Sequence, residues 1–305
     1  MSDISDMSAF WTGWITVISL GSVFGCAWLL WITRKSQKHS TETEQTMGHE
    51  FDGIEEYDNP LPKWWMYMFL ATIVFGLVYY LLYPGLGTFK GLLGWTSANQ
   101  WEKEVDTAKQ QFGPLYAELA ARPVEDLARD EKALKMGQRL FANNCAVCHG
   151  SAARGNIGFP NLTDHDWLYG GTPDKIKETL VNGRMAMMPA WGAILGEDGV
   201  QQVAHFVRGL SGQQNIDATL AAKGEPLFQA NCAACHGADG KGMQALGAPN
   251  LSDGIWLYGG TQGMVEMTLR GGRNGVMPAF KDTLGEEKIH LLTAYVYSLS
   301  LQPVE

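Results

Sequence analysis

The feature that most constrains this chain is a duplication. The stretch Cys145-Ala-Val-Cys148-His149-Gly150 returns as Cys232-Ala-Ala-Cys235-His236-Gly237. Downstream, Pro160-Asn161-Leu162 returns as Pro249-Asn250-Leu251, and Trp167-Leu-Tyr-Gly-Gly-Thr172 as Trp256-Leu-Tyr-Gly-Gly-Thr261. Met188-Pro189-Ala190 returns as Met277-Pro278-Ala279. The register changes once, by two residues, in the loop after each Cys-His motif. Two homologous domains, 131–212 and 213–305, account for the pattern. Each has fewer than 100 residues, small enough to want a cofactor as part of its core. Both read as helical. Gly137, Leu140 and Phe141 match Gly224, Leu227 and Phe228 ahead of the motif. Val200, Val203, Phe206, Val207 and Leu210 match Ile289, Leu292, Tyr295, Val296 and Leu299 at the far end, with the spacing of one helix face. The middle of each repeat has little alternating pattern, which predicts loops rather than strands.

Cys-x-x-Cys-His has a stringent chemical meaning. Two thiols at this spacing can each form a thioether to a haem vinyl group, and the adjacent histidine then faces the iron. A redox dithiol would need a βαβ context, which the repeats lack. A zinc site would need two further ligands repeating with the motif. His165 aligns with Gly254 and His205 with Ala294, so no second histidine repeats. The reading is two covalent haem c groups, one on Cys145 and Cys148, the other on Cys232 and Cys235, with His149 and His236 as axial ligands. The other axial ligand should repeat too. Among Met, His and Lys, only Met188 and Met277 match downstream of both motifs. A thioether paired with histidine raises the reduction potential. Met185 and Met187 align with Asn274 and Val276 and read as packing residues. Around the ligands, Pro160 and Pro249 are positioned to offer carbonyls to the imidazoles. Arg184 and Arg273 are candidates for pairing with haem propionates, or else solvated surface residues. Trp167 and Trp256 are candidate indole donors to propionates, or else core aromatics. His165, His205 and His290 read as surface or helix-face residues. No arrangement for hydrolytic catalysis is present. A six-coordinate His/Met iron passes electrons rather than binding substrate.

Composition hides a second constraint. The mean hydropathy of −0.11 is that of a soluble protein, yet residues 11–32 and 64–83 carry no charge at all. Each run is long enough to cross a hydrocarbon core of about 30 Å as a helix, and Trp or Tyr residues cluster at the ends, as at a membrane interface. A secretory signal would need a basic leader and a shorter apolar run. The chain therefore divides into a first span (1–33), a loop (34–63), a second span (64–83), a connector (84–130) and the two repeats. Arg34, Lys35, Lys38 and Lys63 lie near the helix ends in the loop, which by the positive-inside rule is cytoplasmic. The seven acidic residues Glu42, Glu44, Glu50, Asp52, Glu55, Glu56 and Asp58 count little in that rule. Both repeats then lie outside. Neither span contains histidine, so this chain does not ligate a membrane-embedded haem or copper. In the connector, Gly113-Pro114 predicts a break or kink in a helix running from Trp101. The net charge of −9 argues against a nucleic-acid partner.

The repeats resemble class I cytochrome c domains. The segment Phe51-Asp-Gly-Ile-Glu-Glu-Tyr-Asp-Asn-Pro-Leu-Pro-Lys-Trp-Trp65, set before a span and followed by two Cys-x-x-Cys-His domains, resembles the dihaem P subunit of cbb3-type cytochrome c oxidases. The resemblance implies an all-α chain, with two transmembrane helices leading into tandem cytochrome c domains. It also implies a bacterial inner-membrane location with periplasmic haem domains, with Cys145, Cys148, His149 and Met188 holding one haem and Cys232, Cys235, His236 and Met277 the other. Electrons would come from a soluble or membrane-bound c-type cytochrome and pass through a monohaem subunit to the catalytic haem-copper subunit, which reduces O2 and pumps protons. The alternatives are a dihaem subunit of another respiratory or denitrification complex, and a gas-binding haem sensor. The second repeat holds nine Asp/Glu against six Lys/Arg, the first seven against eight, so the terminal domain is the one expected to steer a basic donor.

Overall fold

The computed structural model describes residues 7–33, 46–57 and 62–301. Arg34, Lys35, Lys38, Glu42, Glu44 and the Asp58-Asn59-Pro60-Leu61 part of the acidic segment lie outside the described residues. The chain divides into two compact units, Met1–Gln111 and Phe112–Glu305.

In the first unit, helix α1 (Ala9–Thr33) is followed by strands β1 (Thr46–Phe51) and β2 (Ile54–Tyr57), then by helix α2 (Lys63–Leu82). Both helices are apolar all round, and none of their side chains is buried by protein. In water that exposure would be ruinous; in hydrocarbon it is what a spanning helix requires. The helices meet along a seam that includes Cys26, Leu29, Leu30, Trp65 and Phe69. The strands form an antiparallel ribbon closed by Asp52 and Gly53, both at positive φ (52° and 81°), as a two-residue hairpin turn demands. Beyond α2 the chain doubles back, with Leu92 and Leu93 N–H groups donating to the Leu81 and Leu82 carbonyls. Trp95 meets Tyr83 edge-on at 5.8 Å, so aromatic rings collect at this end of the span.

Helix α3 (Ser97–Ala120) runs through Pro114 without interruption, contrary to the break expected at Gly113-Pro114. The proline ring clashes with the Cβ of the residue before it, and Gly113 has none. Glycine thus removes one of the clashes, while the hydrogen bond that position 114 would donate is still lost.

The second unit continues with α4 (Val124–Leu127), α5 (Glu131–Asn144), α6 (Ala146–His149) and α7 (Pro173–Asn182). Strand β3 (Arg184–Met188) and helix α8 (Gly192–Leu210) complete the first repeat. The second supplies α9 (Ala218–Asn231), α10 (Ala233–His236), α11 (Gln262–Gly271), β4 (Arg273–Met277) and α12 (Lys281–Leu299). The fold is helical, but the loops expected in the middle of each repeat contain these two short strands. They pair antiparallel with each other, Arg184 opposite Met277 and Met188 opposite Arg273. An isolated five-residue strand is not stable alone, so neither repeat announces its strand until it meets the other.

The ribbon has a large consequence. The two strands cross, and each carries its chain into the opposite half. Helix α12 packs on α5 and α7 of the first repeat, whereas α8 packs on α9 and α11 of the second. One core joins Phe141, Cys145, Ile176 and Leu180 to Ile289, Leu292 and Val296. The other joins Val200, Val203, Ala204 and Val207 to Phe228, Cys232, Val265 and Leu269. The helix faces predicted from periodicity are the buried ones, but each is buried in the other repeat. The expectation that each repeat closes on itself does not describe the molecule. At the two crossings, Gly137 lets α5 approach Tyr295, and Gly224 lets α9 approach the backbone of Gln202. The connector joins in as well, with Leu119, Val124 and Leu127 buried against Ala133, Leu291 and Ala294. His290 Nε2 donates to the Arg122 carbonyl at 2.8 Å.

Candidate haem-binding sites

Each Cys-His motif is one turn of helix sealed by glycine. Asp130 caps α5 by accepting from the Lys132 and Ala133 N–H groups. The helix ends at Cys145, whose carbonyl accepts from the Cys148 and His149 N–H groups at 3.1 and 3.0 Å. Gly150, at φ 77°, ends the turn, a conformation an L side chain resists. The second motif repeats this through Cys232, Cys235, His236 and Gly237, at φ 79°. After the turn, the loop is closed by a bridge between Asn156 and Phe159 in one repeat, and between Met243 and Ala248 in the other. The two-residue register change of the duplication lies here.

The loops bring a carbonyl back to each imidazole. His149 Nδ1 donates to the Pro160 carbonyl at 3.0 Å, and His236 Nδ1 donates to the Pro249 carbonyl at 3.1 Å. Both rings are only 8% exposed. With Nδ1 engaged as donor, the neutral ring offers Nε2 as a base, the form a metal needs. Burial lowers the pKa of His236 from its ordinary value, while the Pro249 hydrogen bond works the other way. Cys145 and Cys232 are pushed up to about 11, mainly by burial and then by the neighbouring Cys148 and Cys235. Both remain neutral thiols at neutral pH, so they share the apolar core at little cost.

The methionines are placed crosswise. Met277 packs against the core containing Cys145, and Met188 against the core containing Cys232. Pairing each methionine with the motif of its own repeat, as the linear order implies, is not the arrangement adopted. The ribbon explains it, since residues 188 and 277 sit at opposite ends of the paired strands. Backing each methionine is a glycine of the other repeat. A Cβ on Gly183 would collide with the Met277 carbonyl, and one on Gly272 with the Met188 carbonyl. The alternation of the strands turns Met185 and Met187 outward, 76% and 77% exposed, so they do not fill a core as expected.

Arg184 donates to Thr179 and Glu178, each at 2.9 Å, and its guanidinium lies 4.6 Å from the Tyr169 ring centroid. Arg273 donates to Thr268 and stacks 4.3 Å over Tyr258. These arginines are half-buried braces of the ribbon rather than solvated residues. Their tyrosines stand in the repeated Trp-Leu-Tyr-Gly-Gly-Thr hexapeptide, the one signal that could have identified them. Trp167 and Trp256 pack in the two cores, edges against Gly171 and Gly260. Among the lone histidines, His205 Nδ1 accepts from the Asp217 N–H at 3.1 Å, and His165 is exposed.

The donor set fits haem c. Each site presents one buried thiol (Cys145 or Cys232), a second thiol in the same turn (Cys148, half-buried, or Cys235, exposed), an imidazole oriented through its far nitrogen, and a thioether packed on the core. Among the described residues no cluster of His, Cys, Asp and Glu suits a bare metal ion instead.

Comparison with known proteins agrees at both ends of the chain. Residues 43–90 match the family described as the N-terminal domain of cytochrome oxidase-cbb3, FixP. Residues 132–207 and 219–296 match the family described as cytochrome c oxidase, cbb3-type, subunit III. The cbb3-type cytochrome c oxidase subunit CcoP of Rubrivivax gelatinosus is 46% identical over 98% of this chain and 97% of its own length. The FixP subunit of Azorhizobium caulinodans is 42% identical, over 83% of this chain and 92% of the relative. The CcoP subunit of Cereibacter sphaeroides is 38% identical, over 87% and 98% respectively.

Proposed function

Because the chain belongs to the CcoP/FixP family of cbb3-type cytochrome c oxidase subunits, we propose that it is the dihaem electron relay of such an oxidase. Its two apolar helices anchor it in the bacterial inner membrane, and its second unit lies in the periplasm. It accepts electrons from donor c-type cytochromes and delivers them, by way of a monohaem subunit, toward the catalytic subunit. Oxygen reduction and proton translocation belong to that complex.

Bound haem c supplies reversible one-electron exchange at its iron. The chain's own residues supply the rest. Cys145 and Cys148 would hold the first haem through thioethers, and His149 and Met277 would be the residues that ligate its iron. Cys232 and Cys235 would hold the second, with His236 and Met188. The Pro160 and Pro249 carbonyls hold the imidazoles in one tautomer and one rotation, which would keep Nε2 aimed at a bound iron. Phe141, Leu292 and Val296 on one side, and Phe228, Val203 and Val207 on the other, exclude water; a low dielectric disfavours the more highly charged ferric state. The β3–β4 ribbon joins the two methionines, so both sites share one rigid strut.

The observation that carries this reading is the crosswise placement of the two methionines about a pseudo-twofold ribbon. The test uses a chain in which Cys232→Ser and Cys235→Ser leave haem attached only at the first motif. There, Met277→Ala abolishes the Met–Fe charge-transfer band and lowers the potential, while Met188→Ala leaves the band in place. The opposite pattern would sink the crosswise assignment. Retention of the band in both variants would sink methionine ligation.

A further inference from the structure

The β1–β2 hairpin has no core to belong to. All ten of its strand residues are exposed, and a lone two-stranded ribbon is marginal at best in water. Its two faces differ. Phe51 pairs with Ile54, each 68% exposed, and the His49 ring lies 5.2 Å edge-on from Phe51. Those three residues share one face, on which Phe51 and Ile54 make an apolar patch and Glu56 follows along the strand. On the other face Glu50 stands directly opposite Glu55, a like-charge pair that works against the ribbon unless a cation relieves it. Asp52 in the turn and Glu56 on the first face add to the hairpin's negative charge, and residues 46–57 contain no Lys or Arg. Only five residues separate Tyr57 from the start of α2, a reach of about 20 Å at most. Whatever covers the hairpin is therefore at the membrane surface.

Two surfaces are available there. Lipid headgroups on the cytoplasmic face are zwitterionic or anionic, and their negative potential repels an acidic ribbon. Membrane proteins, by contrast, concentrate Lys and Arg in their cytoplasmic loops. We infer that the β1–β2 hairpin is a docking element, which takes a Lys/Arg-bearing cytoplasmic surface of another subunit of the same oxidase. The glutamate pair meets the cations, and Phe51 and Ile54 bury against the apolar stems beneath them. This rests on the oxidase and topology readings above.

The experiment uses the full chain co-expressed with the remaining subunits and purified in mild detergent. With Glu50→Lys and Glu55→Lys together, haem c in the membrane stays at the level of the unaltered chain. Haem b recovered with it falls about tenfold or more, because two like charges now face each other, and the loss deepens as detergent concentration rises. Glu50→Gln with Glu55→Gln, which also relieves the internal repulsion, gives a smaller loss. A photoreactive benzoylphenylalanine at Ile54 crosslinks to a Lys/Arg-containing segment of another subunit. Undiminished haem b in the charge-reversed variant overturns the inference, as does a crosslink to lipid alone. Haem b missing from the unaltered preparation overturns the oxidase reading and this inference with it. Labelling of Thr46→Cys by an impermeant maleimide from the periplasmic side overturns the topology.

Discussion

At the scale of single residues, small groups with unusual backbone angles govern the sites. Gly183 closes α7 at φ 68° and ψ −176°, a region open essentially to glycine and costing other residues of order 1–3 kcal/mol. It also abuts the Met277 carbonyl. Gly183→Ala is expected to displace Met277, lowering the potential of the haem on Cys145 and weakening its charge-transfer band, with the other haem unchanged. Potentiometric titration of the intact dihaem chain checks this, and two unaltered potentials would refute it. Gly183 and Gly272 were missed in the sequence because a glycine before a repeated arginine carries no mark of what it touches. The cysteines and histidines proposed to hold haem stand out in the sequence for the opposite reason: their motif is contained within five neighbouring residues. Pro160 and Pro249 fall between these cases. Spacing made them candidates; only the folded loop brings their carbonyls within 3.1 Å of the rings.

At the scale of elements, period decides what can be read. The spans and the amphipathic faces of α8 and α12 are long enough for composition and periodicity to declare them. Strands β3 and β4, at five residues each, are not. Their hydrogen bonds all go to a segment far away in sequence. Helix α3 was expected to break at Gly113-Pro114 because proline propensity is a local rule, and it yields to the glycine that spares it a clash. The exchange of α8 and α12 makes its own prediction. Leu292 is fully buried on α12 in the core containing Cys145, so Leu292→Ala should cost about 2–5 kcal/mol. The damage should fall on the haem of the first motif, although Leu292 belongs to the second repeat. Thermal unfolding followed in the two haems' separate signals tests this. Loss confined to the haem on Cys232 would contradict the exchange.

At the scale of the whole second unit, the halves meet across carboxylates. Asp166 is pushed up to about 6, first by burial and then by Asp253 and Asp164; Asp164 is raised chiefly by burial. Asp253 comes from the other repeat, so the strain acts between them. A carboxylate whose folded pKa exceeds its unfolded value of 3.8 makes the folded state take up the proton first. Stability therefore rises as pH falls through about 6 toward 4. Asp166→Asn is expected to raise the unfolding temperature near neutral pH and to flatten its dependence over that interval. A wild-type midpoint that falls steadily from about pH 7 to about pH 5 would contradict it. By itself the sequence determined the paired Cys-x-x-Cys-His motifs with their repeated methionines, the two apolar helices and the helical class, because each is written in local spacing or in the composition of one segment. Only the tertiary structure decided which repeat supplies each methionine and each closing helix. Homologous repeats present nearly the same surfaces, so self-closure and exchange bury similar side chains. What separates them is the β3–β4 pairing and the path of the chain through it, and neither is a property of any one segment.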